Sequence, residues 1–233
     1  MAMNLFPREL TRDELANEAE KQGVMLPLPM LPYQGEAEPV DEALLGAVVE
    51  QLGNASAQLH FELVKGDMAA PLVSVYVSGG HLISVVYSLM GAAPCEVTDP
   101  RQIKRLLLSL CANMPMPAPD EDVQLNVKTG VSPMRVLAFL NGGDTDTLAD
   151  VVAGNLPWAE VCASLADAAV IRCTLDSERT GTTQAAMLHD GRKVYSVFEQ
   201  EEQTCVTVGS PYRLISWLNL KLIEAFRDSL MHI

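Results

Sequence analysis

Residues 170–211 read VIRCTLDSERTGTTQAAMLHDGRKVYSVFEQEEQTCVTVGSP. Short runs rich in Val, Thr and aromatic residues alternate here with turn-forming residues, a pattern typical of antiparallel strands. The runs predict four strands, Val170–Leu175, Gln184–Leu188, Val194–Glu199 and Thr204–Val208. A helix predicted over Pro211–Leu230 follows them. This part of the chain is therefore expected to be a β-meander that ends in a helix.

The first half of the chain repeats the same pattern. An offset of 111 residues places Gly80 on Gly191 and Pro100 on Pro211 without a gap, and it also pairs Ile83 with Val194, Tyr87 with Phe198 and Val97 with Val208. The strands predicted in this half are Leu59–Val64, Leu72–Val77, Leu82–Tyr87 and Cys95–Val97, followed by a helix from Pro100 to about Met114. The matched spacing favours an internal duplication, and the alternative is coincidence among short strands.

The turns and helix starts have local chemical reasons. Gly79-Gly80 and Asp190-Gly191 offer the positive φ angles that tight hairpins need. Asp99-Pro100 and Ser210-Pro211 each predict a capping oxygen at the N-cap and a proline at the first helical position.

Helical sequence also precedes each meander. Thr11 and Glu14 form a capping box, Gly23 ends that helix, and Asp41–Leu52 predicts a second helix. In the second half a helix opens at Ser132-Pro133, and further elements are predicted as helices over Thr145–Ala153 and Pro157–Leu165 and a strand over Val123–Val127. Residues 114–119 carry three prolines and are expected to be a linker.

These elements predict an α+β fold in which a central sheet is flanked by helices. Residues 1–118 would form the first half and residues 119–233 the second, related by a pseudo-twofold axis. Because an isolated four-stranded meander exposes its edges, we expect the halves to share one sheet or pack together as one compact unit.

The composition excludes several functional classes. The 233 residues include 16 Lys+Arg and 30 Asp+Glu, so the net charge is −14, yet 48% of the residues are apolar. A globally disordered chain would be less apolar, and a nucleic-acid-binding surface would be basic. The start of the chain has no export signal, and the longest apolar run is too short to span a bilayer. Five cysteines without a C-x-x-C spacing suit buried thiols in the cytoplasm.

Motifs for catalysis, metals or cofactors are absent from the sequence. The four histidines are scattered, and no nucleotide-binding or nucleophile motif occurs. The acidic groups 120–122 and 199–202 lack a calcium-loop pattern and are interpreted as solvated surface. We therefore expect no catalytic residue, no metal and no cofactor. An enzyme whose residues converge only in three dimensions, for example with Asp190 near His189, is the remaining catalytic alternative.

Two features point to a protein partner. The last helix carries an apolar stripe wider than one core-facing side needs, and the segments 25–33 and 114–119 are rich in proline and methionine. The alternative is that both features pack across the two halves.

The assembled pattern resembles the EspG-type chaperones of type VII (ESX) secretion. The resemblance is carried by LTRDELANEAEKQGVMLPLP at residues 10–29, by GEAEPVDEALLGAVVEQL at residues 35–52, and above all by residues 169–222. It implies a cytosolic, quasi-twofold α/β protein with two subdomains that keeps a helical secretion substrate, of the PE/PPE or W-x-G kind, soluble.

The resemblance also implies where the substrate would bind. The family's loop between early strands matches residues 65–71, and its C-terminal helix matches residues 211–230. The side chains expected to contact a partner are Lys65, Asp67, Met68, Trp217, Leu218, Leu222 and Phe226. The loop is short in this chain, so the cargo surface would be reduced or absent. The alternative functions are another acidic binding module, either like a type III secretion chaperone or a self-associating regulator that forms a homodimer through its sheet edges.

Overall fold

The structure is a computed structural model that describes residues 3–36, 38–112, 114, 123–127, 130–141 and 158–231. The helices are α1 (Arg12–Gln22), α2 (Glu42–Gly53), α3 (Pro100–Leu110), α4 (Pro133–Leu140), α5 (Trp158–Leu165) and α6 (Tyr212–Met231). The strands of the first half are β1 (Met3–Asn4), β2 (Leu10–Thr11), β3 (Ala57–Lys65), β4 (Met68–Ser78), β5 (His81–Tyr87) and β6 (Gly91–Glu96). Those of the second half are β7 (Val123–Asn126), β8 (Val170–Ser177), β9 (Gly181–His189), β10 (Val194–Gln200) and β11 (Gln203–Gly209).

All these strands belong to one antiparallel sheet with the order β1-β6-β5-β4-β3-β8-β9-β10-β11-β7, and β2 also pairs with β6. The two meanders meet at the centre, where β3 and β8 pair from Ala57 opposite Ser177 to Val64 opposite Val170. The predicted α+β fold, a central sheet flanked by helices, is confirmed. The strand order is symmetric about the β3–β8 pair, and an origin by duplication stays a prediction.

The ladders correct the predicted offset of 111 residues. Ser78 pairs with His81, and the corresponding contact in the second half joins Asp190 N to Lys193 O, which lies 112 residues further along. Ile83 opposite Glu96 likewise corresponds to Tyr195 opposite Val208. Successive side chains on a strand point to opposite faces, so only an even offset matches residues on the same face. The sequence comparison matched residue types but could not register the faces.

The two faces of the sheet are covered differently. α3 and α6 pack together on one face, over a core to which both halves contribute, including Phe61, Val75, Cys173 and Met187. On the opposite face, α1 and α2 cover the first half around Tyr76 and Ile83. α4 and α5 cover the second half on that same face, around a core that includes Tyr195, Val197 and Val206.

Most helix starts follow the predicted capping chemistry. Thr11 Oγ1 accepts from Glu14 N, Glu14 accepts from Thr11 N, and Gly23 ends α1 with φ of 67°. Asp99 caps α3 with Pro100 in its first turn, and Ser132 caps α4.

The start of α6 differs from the prediction. The helix begins at Tyr212, and the carbonyl of Pro211 accepts the first helical hydrogen bond, from Ile215 N. Pro211 is thus at the N-cap and not at the first helical position, one residue later than its counterpart at Pro100.

Three other predictions change in detail. The β9–β10 turn has positive φ only at Gly191, because Asp190 holds the turn by accepting from the backbone N–H groups of Arg192 and Lys193. The helix predicted to reach Met114 ends at Leu110. The predicted helix 145–153 and the linker beyond Met114 lie outside the described residues. Within the described ranges, no helix has both the length and the apolar content needed to cross a bilayer.

Candidate protein-binding surfaces

The β3–β4 hairpin contains the predicted loop residues. Lys65 pairs with Met68 across a tight turn in which Gly66 has φ of 58°. Lys65, Asp67 and Met68 are all exposed, and Met68 presents 61% of its surface to solvent. Leu63, on the same hairpin, is also partly exposed. The structure therefore places these three predicted residues at an accessible, partly apolar tip.

The helix residues divide into two groups. Leu218 and Leu222 are each only 1% exposed and belong to the core shared by both halves. The prediction that they contact a partner is therefore wrong. Trp217 and Phe226 are half-buried, and Trp217 packs against Phe198 with ring centroids 5.4 Å apart. The stripe on α6 is wide because the helix contacts β3, β4 and β10 as well as α3, so it serves both halves.

The hairpin tip and the end of α6 do not form one surface. An ion pair between Arg179 and Asp228 holds the end of α6 beside the loop after β8, at the Ser177 end of that strand. The Lys65 tip lies at the Val170 end, where Val64 and Val170 are paired. Seven strand steps separate the two ends, which is about 24 Å at the rise of an antiparallel strand.

A second exposed apolar surface lies at the turn between β5 and β6. Met30, Leu31, Tyr33, Leu89 and Met90, here called the β5–β6 patch, are each 38–63% exposed. A hydrogen bond of 3.0 Å from Leu31 N to Leu89 O ties the segment after α1 to this turn. The sequence drew attention to residues 25–33 but not to Leu89 and Met90. The available signal was an apolar pair within a Ser-to-Gly turn, where polar residues are usual.

Backbone hydrogen bonds fix this turn and leave its side chains outward. Ser88 Oγ accepts from the backbone N–H of Met90 and of Gly91 and lies 3.0 Å from the carboxylate of Glu9. The carbonyl of Met90 accepts from Arg12 N at 3.2 Å. Because the backbone is held from both sides, the exposed Leu89 and Met90 are presented on an ordered support.

A cavity of about 330 Å³ adjoins the patch, lined by residues that include Tyr33, Met90, Glu9, Glu36 and Glu38. Two close approaches shape its surroundings. A Cβ on Gly91 would lie 2.9 Å from the carbonyl of Leu10, and a Cβ on Gly35 would lie 2.4 Å from the Tyr33 hydroxyl. Glycine at these positions lets β2 pair closely with β6 and lets Tyr33 fold back on its own segment.

The charge around the cavity is negative. Its lining includes one cation, Arg8, which makes hydrogen bonds to both carboxylate oxygens of Glu14. These hydrogen bonds lower the pKa of Glu14 against the opposing effect of burial, so the Arg8–Glu14 pair is ionised and mutually neutralised. Glu38 lies 3.8 Å from Arg8 Nε but is largely exposed, and Glu9 and Glu36 are exposed as well. The cavity therefore keeps an excess of negative charge.

The catalytic alternative does not gather around Asp190. This carboxylate accepts from the backbone of Arg192 and Lys193 and from the Tyr195 hydroxyl at 3.1 Å. Burial alone would raise the pKa of Asp190, but those backbone hydrogen bonds lower it. The Nδ1 atom of His189 has no hydrogen-bond partner, so the two side chains do not form the dyad that was considered.

The cysteines and potential metal ligands show no organised reactive centre in the described part of the chain. Burial raises the pKa of the Cys111 thiol to about 11 and raises that of Cys173 well above its ordinary value. Both thiols are therefore protonated at neutral pH and are weak nucleophiles. No three or more His, Cys, Asp or Glu side chains gather into a metal site among the residues that the structure describes.

Comparison with known proteins leaves the assignment to these observations. No protein-family model matches the chain, and no curated protein matches it at a significant level.

Proposed function

We propose that this chain is a non-catalytic binding protein of the cytoplasm, and specifically a secretion chaperone that holds a small helical substrate of type VII secretion. The observation that supports the proposal most directly is the β3–β4 hairpin. Its tip exposes Met68 at the position where the resemblance to EspG-type chaperones places a cargo contact. Lys65 and Asp67 flank this methionine and are exposed as well.

The physical properties of the hairpin suit transient binding. Methionine is flexible and polarisable, so it adapts to irregular apolar surfaces of a partner. The paired strands hold the tip in place before binding, which reduces the entropy lost on association. The net charge of −14 disfavours contact between copies of the chain while cargo is absent.

The test is co-expression with each small helical protein encoded beside the gene, followed by size-exclusion chromatography with light scattering. We expect a 1:1 complex that the Met68→Asp variant weakens at least about tenfold, because a charge would be buried in an apolar contact. Met25→Asp is the matched control, since Met25 is 95% exposed and lies outside the hairpin. The proposal fails if no helical partner forms a complex, or if the Met25 variant loses binding to the same extent.

A self-associating regulator is the second candidate, and one observation favours it. β7 is an edge strand of the described sheet, and Val123 in it is 46% exposed. Exposed edges pair readily with other chains, and a lysine on the edge prevents this. A dimer of the free chain in light scattering, converted to a monomer by Val123→Lys, would favour this function over a cargo chaperone.

A further inference from the structure

The β5–β6 patch combines exposed apolar side chains with a negatively charged cavity. We infer that it is a docking surface for a segment of a partner protein in which an apolar side chain is flanked by Lys or Arg. This inference does not rest on the proposed chaperone function, because it uses a different set of residues and asks only for a basic, apolar peptide.

The apolar part provides the contact area. Leu89 is 63% exposed, and the methionines on either side of the patch, Met30 and Met90, are also exposed. The cavity beside Tyr33 and Met90 has the size of a small-ligand pocket and can take one large apolar side chain. Monomeric proteins seldom expose several large apolar residues together unless the patch binds something.

The charged part determines which partner fits. Glu9, Glu36 and Glu38 line the cavity, whereas the guanidinium of Arg8 is already paired with Glu14. Three carboxylates are thus available to cations at the rim of an apolar patch. Complementary charge increases the association rate and excludes partners of the wrong sign.

The same charges argue against other occupants. Two copies of the chain meeting through this patch would bring carboxylates against carboxylates, which is repulsive. Nucleic acids and anionic lipid surfaces would be repelled in the same way. A basic protein segment is the occupant that both the apolar and the charged parts favour.

The patch is also well placed for a partner that contacts more than one element. Val73 on β4 pairs with Val86 on β5, so the turn after β5 lies at the same end of the sheet as the β3–β4 hairpin. Only the end strand pairings of β1 and β2 separate β6 from solvent at this side of the described sheet.

The experiment uses a fluorescein-labelled peptide of leucine and lysine, a counterpart in which glutamate replaces lysine, and the full chain. Fluorescence anisotropy should show binding of the lysine peptide alone, with an affinity that falls as salt is added. The variant Glu9→Gln/Glu36→Gln/Glu38→Gln should weaken binding by about threefold or more, because each exposed ion pair contributes a modest amount. The control Glu199→Gln/Glu201→Gln/Glu202→Gln removes the same charge from the β10–β11 turn and should leave the Kd unchanged.

A second pair of variants tests the apolar contact. Leu89→Ser should weaken binding, whereas Leu220→Ser, which changes a residue 59% exposed on α6, should not. Because both leucines are exposed, both variants should fold, and circular dichroism checks this. The inference is overturned if the glutamate peptide binds equally well, or if the two triple variants or the two serine variants have equal effects. It is also overturned if light scattering shows a dimer that Leu89→Ser dissociates, because the occupant would then be a second copy.

Discussion

Gly91 and Gly46 occupy sites with opposite tolerance for a side chain. At Gly91 a Cβ would lie 2.9 Å from a backbone carbonyl, that of Leu10, and 3.1 Å from Glu9 Oε2. At Gly46, within α2, the nearest atoms would be the ends of two flexible side chains, Glu18 at 3.3 Å and Gln22 at 3.6 Å. A rigid neighbour cannot move aside, whereas a flexible one can.

We therefore predict that Gly91→Ala destabilises the protein by about 1–3 kcal/mol, the usual range for overpacking. Gly46→Ala should be neutral or should stabilise by about 0.5–1 kcal/mol, because alanine favours the helix more than glycine does. Urea unfolding of both variants measures the difference. Equal effects of the two substitutions would mean that the β2–β6 contact does not constrain position 91.

Residues with local roles were the ones that the sequence predicted best. The Thr11–Glu14 capping box and the Asp99 and Ser132 caps depend on spacings of two or three residues, and such spacings are visible without the fold. Leu218 and Leu222 were misassigned because their burial depends on strands far away in the chain. Leu89 was missed for the converse reason, since its exposure depends on which elements leave the turn uncovered.

At the scale of elements, α6 shows why an apolar stripe alone does not identify a binding surface. The helix contacts α3 and strands of both halves, so residues that seemed surplus to one half are buried by the other. Strand positions were predicted closely, but β4 and β9 are longer than expected because their first residues are exposed hairpin positions without a clear apolar pattern.

This packing predicts different costs along one helix. Leu218→Ala should destabilise by about 2–5 kcal/mol, since it would leave a cavity in the shared core. Leu220→Ala should change the free energy of unfolding by no more than about 0.5 kcal/mol, because the side chain is exposed. Denaturant midpoints with unchanged m-values provide the measurement. A large cost at Leu220 would indicate that another surface of the protein covers this face of α6.

At the scale of the whole molecule, one sheet and one shared core join the halves. Both features predict cooperative unfolding, although the chain exceeds the size at which two-state behaviour is usual. Leu52, 2% exposed in the α1–α2 core, and Trp217, against Phe198 in the other half, can serve as perturbation and probe.

We predict that Leu52→Ala, in a Trp158→Phe background, lowers the unfolding midpoint equally by Trp217 fluorescence and by far-UV circular dichroism. The background leaves Trp217 as the single tryptophan in the chain. If circular dichroism alone shifted, the halves would unfold separately, and the division at residues 118–119 would mark two stability units.

The central β3–β8 pair also has a consequence for synthesis on the ribosome. More than a hundred residues separate the paired segments, so a nascent chain completes β3 and its meander long before β8 emerges. During that interval the edge of β3 is open, and an open edge is a template for a neighbouring nascent chain. Exchange of β8 between two such chains would reproduce every pair of this ladder in register, so the symmetry that closes one molecule equally permits an interlocked dimer.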